Sequence, residues 1–532
     1  MKMRLLAFFM AAVLCIACFA ACDANVNIDL NDIDKNKTTE APENETNGAE
    51  NGTNAPEGGE TNAPEGGETN APQGGETNAP EGGETNAPEG NETNGPENPP
   101  ATEDKGYDGS AVTITFYHTM GSNLSDVLNI YIEEFNKLYP NITIAHQQVG
   151  GYDDVREQIS TEITVGNQPN IAYCYPDHVA MYNVAKAVVT LDSLIDNMAE
   201  VTRADGSTER MGLTQKQIND FIPGYYNEGK QFGDGKMYTL PLSKSTEVLY
   251  YNADFFTKHN LTPPKTWDEM EALCAKIKEI DPDCIPLGYD SESNWFITMC
   301  EQLGTPYTSA TGEHFLFNTA ENRAFVTKFR EWFKKGYVTT QEIYGAYTSG
   351  LFVATEGQRS YMSIGSSAGA THQRPKNGEF KVGITTIPQA NPENPKVISQ
   401  GPSLCIFDKA NKQEVYASWL FMKFLTTNVD FQAEFSMASG YVPVLKSVAR
   451  NEVYKAFLES ADGGANISAL SAKVCMEQTD AYYTSPAFNG SSVARDQVGL
   501  LIQNCFATTA TDVAAEIEKL FKEAVETCKY LS

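Results

Sequence analysis

Four carboxylates stand in polar surroundings where they could do chemistry: Asp177, Glu247, Asp290 and Glu292. Two carboxyls about 5 Å apart would suit a retaining glycosidase, and two about 6.5–9.5 Å apart an inverting one. A single carboxylate offers only acceptors, which matches the hydroxyls of a sugar. Asp177 fits that use and fits equally the capping of the helix that follows it. Arg495, beside Gly490-Ser491-Ser492, can clamp an anion, a pair of hydroxyls or an acidic side chain. Flat aromatic rings cover the C–H faces of sugars at little conformational cost. Two such rings stand outside apolar helical patterns: Tyr152, after Gly150-Gly151, and Trp295, in the polar run Asp290-Ser291-Glu292-Ser293-Asn294. Trp267, Trp332 and Trp419 have apolar neighbours at core spacing and read as structural. Ser366 and Ser367 lie in SIGSSAG, a small-residue turn that either admits a ligand close to the backbone or is simply tight.

Other chemistries lack their residues. The six histidines are scattered, with no HExxH and no pair at helical spacing. There is no GxGxxG after a strand and no phosphate-binding GxxxxGK loop. From residue 108 onward, the eight cysteines Cys174, Cys274, Cys284, Cys300, Cys405, Cys475, Cys505 and Cys528 show no CxxC or metal spacing. Most read as buried free thiols, with Cys274 and Cys284 the first pair to test for a disulfide. No basic patch points to nucleic acid. No cofactor, metal or nucleic acid is therefore expected.

The elements that must position these residues begin at Val112. Val112, Ile114 and Phe116 alternate as a strand, and Leu124, Leu128, Tyr131, Phe135 and Leu138 mark one face of a helix after Ser122. Ile142–Ile144 reads as a strand, Tyr152–Val165 as a helix and Asn170–Tyr175 as a strand. This β-α-β-α-β order predicts an α/β lobe with a parallel sheet. Ligands of such sheets sit beyond the strand C-termini, where loops begin at His118, Gly150 and Pro176. Further on, YTLPLSKSTEVLYYNADFF (Tyr238–Phe256) starts extended, passes through polar Lys244-Ser245-Thr246-Glu247 and resumes as an apolar strand. A polar patch inside a buried crossing segment either faces a cleft or is a solvated bulge. Thr266 with Glu269 forms a capping box for a helix over Thr266–Glu279. Ala320–Lys335, Val415–Leu425 and Ala510–Lys529 are further helices.

That crossing stretch occurs with FYHTMG (Phe116–Gly121), PPKTWDEM (Pro263–Met270), SQGPSLCIF (Ser399–Phe407) and SGYVPV (Ser439–Val444), in this order. Together they resemble the family 1 extracellular solute-binding proteins of ABC sugar importers, over roughly Val112 to the C-terminus. Within the family the likeness is to glycerol-3-phosphate-binding and oligosaccharide-binding types. The resemblance implies an α/β, two-lobe periplasmic-binding-protein-like (type II) fold, with hinge crossings and a ligand cleft between the lobes. It places the first lobe at about 108–246 and 385–430 and the second at about 247–384 and 431–532, with Phe380–Ile387 as the return crossing. It implies a monomeric receptor rather than an enzyme, with a carbohydrate ligand and ABC permease subunits as partners. A surface glycoside hydrolase or a carbohydrate-adhesion module is the alternative.

Positions matching the family's binding residues are Tyr117, His118, Tyr152, Tyr175 and Asp177, then Ser245 and Glu247 at the crossing. Trp295, Ser366, Gly401 and Tyr441 follow. Trp295 resembles the family's aromatic platform and is expected to stack on the ligand from the second lobe, opposite the tyrosines of the first. The arginine of phosphate-binding relatives falls near Ala487, about eight positions before Arg495. A neutral saccharide is therefore expected to bind better than glycerol 3-phosphate.

The first fifth of the chain has another character. Lys2 and Arg4 precede an apolar run from Leu5 to Ala21, so residues 1–21 read as a signal peptide. Phe19-Ala20-Ala21-Cys22 resembles a lipobox, which implies a diacylglyceryl group on Cys22. Cys18, preceded by Ile16 in place of a small residue, is a poorer site. Residues 22–107 hold an eight-residue repeat, ETNAPEGG, starting at Glu60, Glu68, Glu76, Glu84 and, degraded, Glu92. Twenty acidic and three basic residues between Asp23 and Gly106 supply 17 of the 31 net negative charges. The acidity thus belongs to a polar spacer that cannot bury a core. A solute-binding domain over 108–532, lipid-anchored at the extracellular face of a Gram-positive-type membrane, is the expected arrangement. The lipid is then its only contact with the membrane.

Overall fold

The computed structural model describes residues 106–532. The leader, Cys22 and the octapeptide repeat lie outside the described residues. Alternation builds β1 (Val112–His118), with Ile114 and Phe116 fully enclosed. The helix Ser122–Leu138 follows and turns Leu128, Tyr131, Ile132 and Phe135 inward. β2 (Ile142–Gln148), the helix Tyr152–Thr164 and β3 (Ile171–Cys174) complete the predicted order. β1 pairs in parallel with both β2 and β3, as a βαβαβ unit requires. A small hairpin, β4 (Glu200–Thr202) with β5 (Thr208–Arg210), stands apart. β6 (Leu240–Pro241) lies at the edge of this first sheet, where a proline without an N–H is tolerated.

β7 (Ser245–Asn252) opens the second sheet. Val248, Leu249 and Tyr250 are wholly buried, so both faces of the strand are covered and its apolar run is continuous rather than alternating. The other strands of the sheet are β8 (Leu287–Tyr289), β9 (Val338–Thr340), β10 (Met362–Ser366), β11 (Val382–Thr385) and β12 (Val397–Gln400), with β14 (Tyr482–Tyr483) beside β12. β13 (Ser403–Ile406) returns to the first sheet, antiparallel to β3 and β6. The order β2-β1-β3-β13-β6 makes the first lobe, and β14-β12-β7-β10-β8-β9 with β11 the second.

Two lobe boundaries differ from the sequence expectation. The return crossing expected over Phe380–Ile387 is not there. β11 and β12 both pair with β7, so the chain regains the first sheet only at Gly401-Pro402. The apolar alternation of Val382 and Ile384 makes one more second-sheet strand, a pattern that sequence alone does not separate from a crossing. The helix Val429–Ser439, expected in the second lobe from residue 431, packs on the first: Phe431 meets Tyr131 edge-on at 5.2 Å. Trp267, Trp332 and Trp419 are buried as expected. All eight cysteines among the described residues are buried free thiols, so Cys274 and Cys284 are not bonded to each other.

Candidate ligand cleft

The first lobe contributes tyrosines. Gly150, at φ +42°, turns the chain into the helix Tyr152–Thr164, and a Cβ there would lie 2.2 Å from Asp154 Oδ2. The Gly151 N–H donates to that same carboxylate at 2.7 Å. This start leaves Tyr152 half-buried at the first helical position, its ring 4.4 Å from Tyr175 and 5.9 Å from Tyr173. The Tyr152 hydroxyl interacts with Tyr441, which arrives from the segment after the helix Val429–Ser439. Burial, the largest cause, and then neighbouring tyrosines push the Tyr152 hydroxyl well above its usual pKa, so the group stays a neutral donor and acceptor.

The second lobe contributes a polar network. Ser291 caps the helix Glu292–Leu303, accepting from the Asn294 N–H at 3.2 Å. The Asn294 amide donates to Glu247 Oε1 at 3.0 Å and to Gln400 Oε1 at 2.9 Å. Its carbonyl accepts from Gln400 Nε2 at 3.0 Å and from Arg495 Nη2. All four hydrogen-bonding positions of the amide are used, which fixes its orientation. Glu247, 1% exposed, also accepts from the Tyr289 hydroxyl at 2.7 Å. Burial pushes the Glu247 carboxyl up from the usual 4.5 to about 7, against the pull of Tyr289, Asn294 and Arg495. Arg495 is half-buried in the first turns of the helix Ser491–Ala507, and its charge reaches Tyr175 in the other lobe. The lobes also touch directly: the Ser492 hydroxyl donates to the Asp177 carboxylate.

The structure sorts the sequence candidates into groups. Tyr152, Asp177, Tyr441, Glu247 and Arg495 come together where the lobes meet. Asp177 does not cap its helix; Tyr175 holds the cap position, and no side chain bonds there. Ser245 is buried in β7 opposite Gln400, and Gly401 is buried in the second crossing. Ser366 caps a short 3-10 turn through the Ala368 N–H, while the neighbouring Ser367 hydroxyl accepts from the Thr246 N–H. Trp295 is a correction. It lies in the helix Glu292–Leu303 rather than in a polar loop, and it is 0% exposed. Tyr289 and Phe329 stack on it at 4.9 and 4.1 Å, so no ring face is left for a ligand. The polar residues before it supply a cap and a first helical turn, which put the indole one turn in, on the core side. His118 pairs with His146 Nδ1 at 2.8 Å and is enclosed, and the Tyr117 hydroxyl donates to Glu162 at 3.3 Å.

The carboxylates considered as a catalytic pair are separately engaged. Asp290 accepts from Thr348 N–H and Oγ1 at 2.7 and 2.6 Å, and Glu292 from the Glu342 N–H at 3.0 Å. Among the described residues no His, Cys, Asp and Glu grouping could hold a metal ion. Sequence reasoning missed Asn294 and Gln400. The signal for Asn294 was Ser291, three residues earlier, as a helix cap. Gln400 carried no local signal, since only sheet pairing sets it beside Asn294.

The model of a family described as bacterial extracellular solute-binding protein matches residues 131–459. The sn-glycerol-3-phosphate-binding periplasmic protein UgpB of Salmonella typhimurium is 25% identical over 360 residues, covering 63% of this chain and 75% of that protein. UgpB of Escherichia coli K12 is likewise 25% identical over 361 residues, covering 64% and 75%. Among solved structures, the cyclic alpha-maltosyl-1,6-maltose binding protein of Arthrobacter globiformis superposes with a TM-score of 0.63 at 18% identity, covering 79% of this chain and all of that one. UgpB of Mycobacterium tuberculosis, in complex with glycerophosphocholine, gives 0.61 at 17% identity, covering 79% and 98%. At these identities the structural matches show a shared two-lobe fold.

Proposed function

The chain belongs to the bacterial extracellular solute-binding family, and from that premise we propose that it captures a sugar or oligosaccharide between its lobes and delivers it to an ABC permease. The observation that carries this reading is the meeting of two unlike surfaces. Tyrosines from the first lobe face an amide and guanidinium network of the second, joined by Ser492 and Asp177. Rings cover C–H faces of a sugar, while Arg495 and Asp177 match its hydroxyls, and Asn294 with Gln400 holds Arg495 in place. Closure follows because only the closed state lets both lobes touch the ligand.

The charges favour a neutral ligand. The Arg495 and Arg156 guanidiniums share this seam with the Asp153, Asp177 and Asp496 carboxylates. With three carboxylates beside two guanidiniums, the seam offers no net positive field to a phosphate. A thermal-shift screen over a carbohydrate panel tests the reading. A ligand at about 100 times its dissociation constant stabilises by about 2.7 kcal/mol. A panel without any shift, beside a shift with a non-carbohydrate solute, would overturn it.

Residues 1–21 serve in this reading as an export signal and Cys22 as the lipid anchor, at the outer face of a Gram-positive-type membrane. Residues 22–105 act as a spacer before the folded domain, into which Tyr107 already packs against Tyr139. The protein works as a monomer. Cys22→Ser is expected to release it into the medium or leave the leader uncleaved; a variant that loses its leader yet stays membrane-bound contradicts the anchor.

A further inference from the structure

Lys244, in the polar patch of the first crossing, does not face the cleft. Lys244 is 0% exposed, and Ser245, Thr246 and Glu247 are also buried. Each of its three ammonium donors has an acceptor: the Glu228 carboxylate, Gly401 O at 2.8 Å and Ser403 Oγ at 3.0 Å. The Ser403 hydroxyl in turn donates to Glu228 at 2.9 Å. The Lys244 backbone pairs on its other side with Val442, N–H to C=O in both directions. One lysine therefore touches both strand crossings between the sheets, 242–245 and 400–403, and the stretch around Val442. Gly401 permits this approach, since at φ +100° a Cβ there would lie 2.8 Å from Ser243 O and 3.0 Å from Lys244 Cα.

Each of these segments also presents a cleft residue beside the contact. Gln400 directly precedes Gly401, Tyr441 directly precedes Val442, and Glu247 follows Lys244 by three residues. Glu247 and Gln400 share Asn294, and Tyr441 meets Tyr152. We propose that Lys244 is a positioning residue for ligand binding: by clamping these three segments to one another, it holds Glu247, Gln400 and Tyr441 in the mutual register that the closed cleft requires. The proposal rests on the saccharide reading of that cleft.

The test uses the full chain and, as probe, whichever saccharide of the carbohydrate panel shifts the wild-type melting temperature most. Lys244→Met leaves Glu228 buried without its partner and is expected to lower both melting temperature and affinity. Lys244→Met/Glu228→Leu is expected to regain the melting temperature, because an apolar pair can replace a buried ion pair without loss. It should still bind the probe at least tenfold more weakly by calorimetry. Wild-type affinity in that double variant overturns the positioning role. If the double variant melts low, Ser403→Ala, which removes one acceptor and leaves the ion pair, decides instead. Binding at least threefold weaker at near-normal melting supports the proposal, and unchanged binding overturns it. A carbohydrate panel without any shift, beside a shift with a non-carbohydrate solute, overturns the reading beneath the proposal.

Discussion

Two of the cations near the meeting of the lobes, Lys244 and Arg495, are used in opposite ways. Lys244 is enclosed, and its three donors are spent on Glu228, Gly401 and Ser403. Arg495 is half-buried and, among the described residues, hydrogen-bonds only to Asn294, so most of its five donors are unspent. A cation with every donor satisfied organises the protein around itself. One with unspent donors at a seam between lobes is available to something else. The same division separates the aromatics: Trp295 is covered by Tyr289 and Phe329, whereas Tyr152 keeps part of its ring at the seam.

The largest effect that would break this division is on the enclosed side. Trp295→Ala should cost about 3–5 kcal/mol of stability, as large buried aromatics do. The affinity of the molecules that remain folded should change little. A normal melting temperature with lost binding would put the indole back in the cleft. On the open side, Tyr152→Ala should cost roughly 2–4 kcal/mol of saccharide affinity, as central aromatic anchors do. Ligand-free melting should hardly move; calorimetry and melting measured together show whether the two effects separate as the two rings do.

Glu247 sits between the classes, buried yet one amide away from Arg495. Its carboxyl is pushed up from 4.5 to about 7 mainly by burial, so the folded state holds a proton that the unfolded state releases. The contribution is complete below about pH 4.5 and is lost as pH rises through about 7. Glu247→Gln should therefore flatten the fall in melting temperature across that window. An unchanged slope would mean that the carboxylate is ionised in the folded protein throughout.

Much of the architecture was legible because it is written in local patterns. The β-α-β-α-β order from Val112, the capping box of Thr266 and Glu269, and the cores around Trp267, Trp332 and Trp419 all follow from periodicity and caps. The return crossing was misplaced because β11 and a crossing strand share the same apolar alternation, and only pairing with β7 tells them apart. Trp295 was misread because a polar run ending in a helix cap resembles a loop until the phase of the helix is known. Lys244 shows the same limit. Its type and place marked a polar spot in a buried crossing, but not that Gly401 and Ser403, far along the chain, would consume its donors.

The division between spent and unspent cations is tested most directly by one calorimetric comparison. The wild type and Arg495→Ala are titrated with the neutral saccharide selected by the panel and with sn-glycerol 3-phosphate. The expected result is that wild type prefers the saccharide and that Arg495→Ala weakens it at least tenfold, about 1.4 kcal/mol, with ligand-free melting unchanged. Full saccharide affinity in Arg495→Ala, or tighter wild-type binding of the phosphate, would contradict the account.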